Sequence, residues 1–347
     1  MATDTAPVGA LLALAANGAQ DGFMSQDGFM ALTCSDSFDA RKLLLRGRYY
    51  CVYSELAAAR SAESPGSLVF TLLPRSTDLV NEVDLAIPNP GGAPLEALIA
   101  GIRVEVGGCR IDEMVDEVDL ETHVRTNCAL MYGPGKRSIS HINGTTFVPL
   151  AMAPFHETDL VRPSTPKHNV CVVVTLKPDA DSTAGWTLYG KRYFLSGPER
   201  AIALAKPHEF VTTQNQRSRP GDALGRNAVH LRFSHPVDLV YFWGFDKAKV
   251  RNVALRLNGH DYYNGSLEAL EHAKRARGFG DVEPAVMFFS QSRFDERPRG
   301  AINFSRIDHA ALYIVTDQAG DVPLHVVGLN RQPLMHKHDM YGVAYIN

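Results

Sequence analysis

IRVEVGG, residues 102–108, alternates apolar and charged side chains from Ile102 to Val106 and then breaks on two glycines. In a strand, that alternation puts Ile102, Val104 and Val106 on one face and Arg103 and Glu105 on the other. The Gly-Gly pair supplies the positive φ that a tight hairpin turn requires. VALRLNG, residues 253–259, repeats the pattern 151 positions further on: Val253, Leu255 and Leu257 alternate with Ala254 and Arg256, then end on Asn258-Gly259. Two more features recur in the same order. Asp78-Leu79-Val80 and Asp238-Leu239-Val240 each open a strand after a polar turn, 160 positions apart, and Tyr50 and Phe210 are separated by the same 160. The change of spacing asks only for a connection about nine residues longer in the first copy, which costs little closure entropy. The pattern therefore predicts two copies of one β-domain. At about 150 residues each, they suit an eight-stranded sandwich with two Greek keys, the jelly roll.

The rest of the chain fits an all-β protein. SLVFTLL (67–73), VDLAI (83–87), VCVVVTL (170–176), AVHLRF (228–233) and HAALYIV (309–315) are short β-rich runs set between Gly, Pro, Asn and Asp. The helix signals are few. Residues 196–206 have Ser196 and Glu199 at capping-box spacing, with Pro198 in the first turn and Pro207 as a stop. Residues 266–277 end before Gly278, and residues 8–16 give a third candidate. The expected organisation is an N-terminal arm over 1–34, a first jelly roll over 35–176, a linker over 177–187 and a second jelly roll over 188–347.

Composition excludes several classes. The chain has 347 residues, 45% of them hydrophobic, which is enough for a real core. A net charge of −3 gives no electrostatic case for wrapping nucleic acid. Lys274, Arg275 and Arg277 form the only tight basic group and read as a solvated loop or helix face. The five cysteines are odd in number and form no CxxC pair, which argues against a zinc site or a disulfide framework and for a reducing compartment. The apolar run VGALLALAANGA lacks a positive leader and falls short of the ~20 residues of a bilayer span, so neither a signal peptide nor a transmembrane helix is expected.

One stretch has the residue types of a hydrolase. RPRGAINFSRIDHA, 297–310, carries Asn303, Ser305, Arg306, Asp308 and His309. Read as a strand entered through a turn at Pro298–Gly300, it sets Asn303, Ser305 and Ile307 against Phe304, Arg306 and Asp308. The serine and the acid then point apart, and no GxSxG elbow is present. His336 and His338 share a strand face but have no third histidine or well-placed acid, so a solvent-facing turn is expected. His123, His141 and His156 are taken as scattered, satisfied histidines. Asp112, Glu113, Asp116, Glu117, Asp119 and Glu121 form an acidic run, either an exposed loop or helix face or a charged lip at a subunit contact. Gly107-Gly108 is not a phosphate loop, because no Lys-Ser/Thr follows. Sequons occur at Asn143, Asn264 and Asn303. The third lies inside the 297–310 stretch and is not expected to be usable. The first two sit on turn-like segments but are not expected to be used, because an intracellular protein would not meet the secretory enzyme. No catalytic, cofactor-binding or metal-binding residue is assigned, and no cofactor is expected.

Laid out in order, these segments resemble the major capsid proteins of nucleocytoplasmic large DNA viruses. The likeness runs through GALLALAANGAQD (9–21), TDLVNEVDL (77–85), IRVEVGGCRID (102–112), LYGKRYFLSGPERAIALAKPHEFVTTQ (188–214), FSHPVDLVYF (233–242), LRLNGHDYY (255–263), RGAINFSRIDHAALY (299–313) and YGVAYIN (341–347). The family places Gln where Cys109 stands, and a more apolar stretch at 330–340. The resemblance implies a double jelly roll with a few short helices in its connections. It implies a non-enzymatic structural protein that forms homotrimeric, pseudo-hexagonal capsomers tiling an icosahedral shell with neighbouring capsomers. It also implies a place in the virion after assembly in the host cytoplasm. The arm 1–34, with its repeated Asp-Gly-Phe-Met at 21–24 and 27–30, is expected to meet minor capsid or penton proteins and an internal membrane; no specific nucleic acid is expected. The alternatives are a minor capsid or penton jelly-roll protein, and a carbohydrate-binding or cupin-like β-sandwich.

Overall fold

The computed structural model describes residues 49–61, 66–72, 77–89, 91–115, 119–156, 160–162, 167–178, 185–205, 208–218, 227–290, 300–317, 324–337 and 340–343. The arm 1–34, with the candidate helix 8–16, lies outside them. The chain divides into two compact units, an N-terminal one built from 34–214 and 332–346 and a C-terminal one built from 215–331.

The N-terminal unit contains β1 (Tyr49–Ala58), β2 (Arg60–Ser61), β3 (Ser67–Thr71), β4 (Leu79–Pro88), α1 (Leu95–Leu98), β5 (Ile99–Val106), β6 (Cys109–Val115), α2 (Leu120–Tyr132), β7 (Ser140–Ile142), β8 (Thr145–Pro149), β9 (Val170–Leu176), β10 (Thr187–Leu195) and α3 (Gly197–Ala205). Its two sheets run β1-β10-β4-β8-β7 and β2-β3-β9-β5-β6, and every pairing with a defined register is antiparallel. The alternation read in the sequence becomes the core: Ile102, Val104 and Val106 of β5 pack with Leu68 and Phe70 of β3, Val83, Leu85 and Ile87 of β4, and Val170, Val172 and Val174 of β9. Burial of each such side chain stabilises the fold by ~1.5–3 kcal/mol.

The C-terminal unit takes in β11 (His208–Arg217), whose first residues belong to the N-terminal unit, then β12 (Ala228–His230), β13 (Pro236–Trp243), β14 (Val250–Leu257), β15 (His260–Gly265), α4 (Leu267–Ala276), β16 (Ala285–Phe288), β17 (Ile302–Asn303), β18 (Ala310–Thr316) and most of β19 (His325–Lys337). The last strand, β20 (Met340–Val343), pairs with the end of β19 and counts with the N-terminal unit. The sheets run β11-β19-β13-β16 and β12-β18-β14-β15, with β17 added on β13. Their inner faces meet around Val237, Val240 and Phe242 of β13, Val253, Leu255 and Leu257 of β14, and Leu312 and Ile314 of β18.

The two strand orders are the same order. β1-β10-β4-β8 corresponds to β11-β19-β13-β16, and β3-β9-β5-β6 to β12-β18-β14-β15; in each unit a helix, α2 or α4, follows the β5–β6 or β14–β15 hairpin. The eight matched strands of each unit form a jelly roll, with β7 and β2 added at the ends of the N-terminal sheets. The hairpins are those expected. Val106 pairs with Cys109 across Gly107 and Gly108 at φ 59° and 81°, and Leu257 pairs with His260 across Asn258 and Gly259 at φ 49° and 82°. Positive φ at both central residues is the type I′ geometry that matches strand twist.

Three sequence expectations need revision. β10, beginning at Thr187, is hydrogen-bonded to β1 on one side and β4 on the other, so the border lies at 214/215 rather than in a linker at 177–187. The chain's last strand returns to the N-terminal unit, so the second unit does not run through to residue 347. Asp78 and Asp238 are not equivalent: Asp78 precedes β4 and pairs with Arg200, whereas Asp238 lies inside β13 and pairs with Arg331. Helices α3 and α4 stand where capping and stop signals placed them, while α2 was read only as part of an acidic run.

Candidate functional site

The hydrolase-like stretch is not one continuous strand. Within its described part, Ile302 and Asn303 are strand, paired with Val237 and Pro236, Phe304–Arg306 form a single 3-10 turn, and Ala310 opens β18. The buried Asn303 side chain caps that turn by accepting a bond from the Ser305 amide at 3.1 Å. Ser305 Oγ accepts from the His235 amide at 2.8 Å, and the Phe304 amide donates to the His235 carbonyl at 3.1 Å. The His309 amide donates to Asn258 Oδ1 at 2.9 Å and the Asn258 amide to the His309 carbonyl at 2.7 Å. These polar groups tie two turns together, one of them the Asn258-Gly259 hairpin. Phe304 seats on Phe233, with ring centroids 5.5 Å apart. The run of alternating faces expected from 303 to 308 fails because an Asn that caps its own turn competes with the ladder.

The other candidates disperse. His141 Nδ1 lies 2.9 Å from Thr146 Oγ1, His156 Nε2 lies 2.9 Å from the Thr213 carbonyl, and His123 is buried on α2. No group of three metal-ligating side chains occurs among the described residues. His338 and the side chain of His336 lie outside them. The acidic run is not one exposed face. Asp112 is buried and accepts from the Ala153 amide at 2.8 Å, Glu113 pairs with Arg110, and Glu121 pairs with Arg125 on the surface of α2. Asp116 and Glu117 lie outside the described residues.

The basic group also changes character. Lys274 is fully buried and donates to the carbonyls of Val282 at 2.6 Å and Pro284 at 3.0 Å, while Glu271 pairs with it at 2.7 Å. Arg277 donates to the Ser290 carbonyl and lies 4.4 Å over the Phe288 ring. Lys274 thus fastens the connection between α4 and β16, while Arg275 and Arg277 stay on the exposed face that was expected. Asn143 sits in the β7–β8 turn at φ 49°, and Asn264 donates to Asp261 within β15. Cys51 and Cys109 are exposed; Cys128 is buried, and burial pushes its thiol up to about 12.

What the N-terminal unit does present is a polar strut beside an apolar edge. Asp84 on β4 accepts a bond from the Tyr53 hydroxyl at 2.6 Å and two from one Arg137 nitrogen at 2.6 Å each. Glu82, next along the strand at φ 48°, pairs with Arg137 at 3.6 Å and Lys191 at 3.2 Å. Burial pushes the Asp84 carboxyl above its ordinary value, and the Arg137 guanidinium and Tyr53 hydroxyl offset this only in part. The Tyr53 hydroxyl is raised by burial and by the Asp84 charge. The group clamps the segment after α2 onto the sheet.

Among the described residues β1 is the outermost strand of that sheet, and its first half is exposed on both faces. Tyr50 is 64% exposed and stacks on Phe194 at 4.7 Å; Val52 and Tyr53 are 43% and 50% exposed. The β1 sequence, YYCVYSELAA, carries no Lys or Pro, two of the devices that blunt an edge strand. In the sequence Tyr50 served only as a repeat marker; the three tyrosines at 49, 50 and 53 were the available signal. Val315 of the C-terminal unit, 52% exposed on β18, is a smaller apolar point.

No family model and no curated relative matches the chain. Solved structures do match it. A chain of the PBCV-1 virus capsid is 18% identical with a TM-score of 0.66, over 87% of this chain and 98% of that one. The major capsid protein of Faustovirus is 8% identical with a TM-score of 0.53, over 87% and 91%. That of bacteriophage PM2 is 11% identical with a TM-score of 0.50, over 86% and 99%. At these identities the likeness is one of fold, and it spans almost the full length of each neighbour. Together with the duplicated strand order, it identifies this chain as a double jelly roll.

Proposed function

We propose that the chain is a major capsid protein of a large DNA virus, a non-enzymatic subunit that trimerises and tiles an icosahedral shell. The observation that carries this reading is the duplication: two eight-stranded barrels with the same strand order in one chain. Three such chains around one axis present six similar lobes, so a trimer can occupy a six-coordinated position. The length-spanning likeness to virus capsid chains supports the same reading. Close-packed sandwiches suit a wall, because they resist deformation. The β1 edge, with Tyr50, Val52 and Tyr53, is the described surface best suited to contact between subunits. In this reading the protein resides in the virion after assembly in the host cytoplasm, and the arm 1–34 meets minor capsid or penton proteins and an internal membrane.

A penton-type protein would need only one barrel, and a cupin-like reading would need a cluster of metal ligands, which does not occur among the described residues. Solution mass of the purified chain tests the proposal. A particle of three times the 38.0 kDa chain is expected; a stable pentamer or monomer would overturn it.

A further inference from the structure

The C-terminal segment does not finish the unit it follows. Residues 325–330 of β19 pair with β13 in the C-terminal unit, and the chain then leaves: residues 332–346 count with the N-terminal unit. There β19 and β20 close a hairpin, with Leu334 opposite Val343 and Lys337 opposite Met340. Leu334 and Tyr341 are buried in the N-terminal core with Val106, Ile111, Val161 and Val170. Tyr341 is held at three points. Its hydroxyl accepts from the Arg162 amide at 2.9 Å and donates to the Arg162 carbonyl at 3.2 Å, 179 residues away in sequence. Its amide donates to His168 Nδ1 at 3.1 Å. The His168 ring in turn lies against Gly107, where a Cβ would come within 2.6 Å of it. The strap is thus anchored, through His168, on the hairpin that defines the first barrel.

We propose that residues 332–343 are a closing strap, a separable hairpin that plugs the core of the N-terminal unit beside Arg162, His168 and Gly107. The first barrel then lacks part of its core until residues 332–343 are in place.

The chain's two tryptophans make the test selective, since Trp186 is buried in the N-terminal core and Trp243 lies in β13 of the C-terminal unit. Full-length Tyr341→Phe is made in a Trp243→Phe and in a Trp186→Phe background, and urea unfolding is followed by fluorescence. Losing the hydroxyl removes both of its bonds to Arg162, so the folding constant reported by Trp186 should drop roughly ten- to a hundredfold, with Trp243 unchanged. A drop at Trp243 instead, or at neither, overturns the proposal. A chain ending at Arg331 extends the test: synthetic peptide 332–347 should restore the Trp186 transition, and the same peptide carrying Tyr341→Ala should not. Equal rescue by both peptides, or by neither, also overturns it. None of these readings depends on whether shells form.

Discussion

Asp238 and Arg331 show how single residues hold this fold. Both are about 95% buried, and the guanidinium meets the carboxylate at 2.8 Å and 2.5 Å. Removing one partner of such a pair leaves the other charge buried and uncompensated, so Arg331→Met should lower stability by about 3–5 kcal/mol in urea unfolding followed through Trp243. Glu271 adds a pH dependence. Burial alone would raise its carboxyl, but hydrogen bonds and charge from Lys247 and Lys274 outweigh it and hold the group below its ordinary value of 4.5. A depressed carboxylate contributes stability that is complete above 4.5 and is lost as pH falls through the folded value. Glu271→Gln should therefore flatten the acid side of the C-terminal unit's stability profile while lowering stability at neutral pH. An unchanged acid limb would show that the two lysines do not hold the carboxylate. At this scale the sequence misled most where a residue's partner was far away. Lys274 was read as solvated because nothing local reveals the carbonyls of Val282 and Pro284, and Asp112 because its partner is the Ala153 amide.

The elements divide by whether their signal is local. The β5–β6 and β14–β15 hairpins were legible because period-two alternation and a two-residue positive-φ turn are written in consecutive residues. Helix α4 was legible from its stops, and its Ser266 accepts from the Ala269 amide as a cap. Helix α2 was not: its first turn joins a run of acids, and its buried face mixes polar His123, Thr126 and Asn127 with Leu120, Val124 and Cys128, which blurs the apolar stripe. The place of β10 was equally hidden, because which sheet a strand joins depends on partners more than a hundred residues away. Its Gly190 marks that placement. A Cβ there would meet Leu56 at 2.6 Å and Val83 at 3.3 Å, beside the bulge in the pairing with β4. Gly190→Val should cost ~1–3 kcal/mol or more by overpacking, read as a lower urea midpoint at Trp186. A neutral result would contradict the packing of β10 against β1 and β4.

For the whole molecule, the weak repeat of the sequence became an identical strand order in both units, and the hairpins kept their spacing of 151 while other matched elements drifted. What the repeat could not show is that the chain comes back: the final hairpin belongs to the first unit, and no local signal says so. Nor could it reveal the exposed aromatic half of β1, since exposure is a property of what lies next to a strand. If the arm serves assembly rather than folding, deleting residues 1–30 should leave trimers intact by solution mass and abolish closed shells; normal shells from the truncated chain would remove the arm from the account. The central claim, a trimer of double jelly rolls that builds a wall, is tested most directly by electron microscopy of the expressed, purified chain. Pseudo-hexagonal trimers, alone or tiled into closed shells, are predicted, and a field of isolated monomers with no six-lobed particles would contradict it.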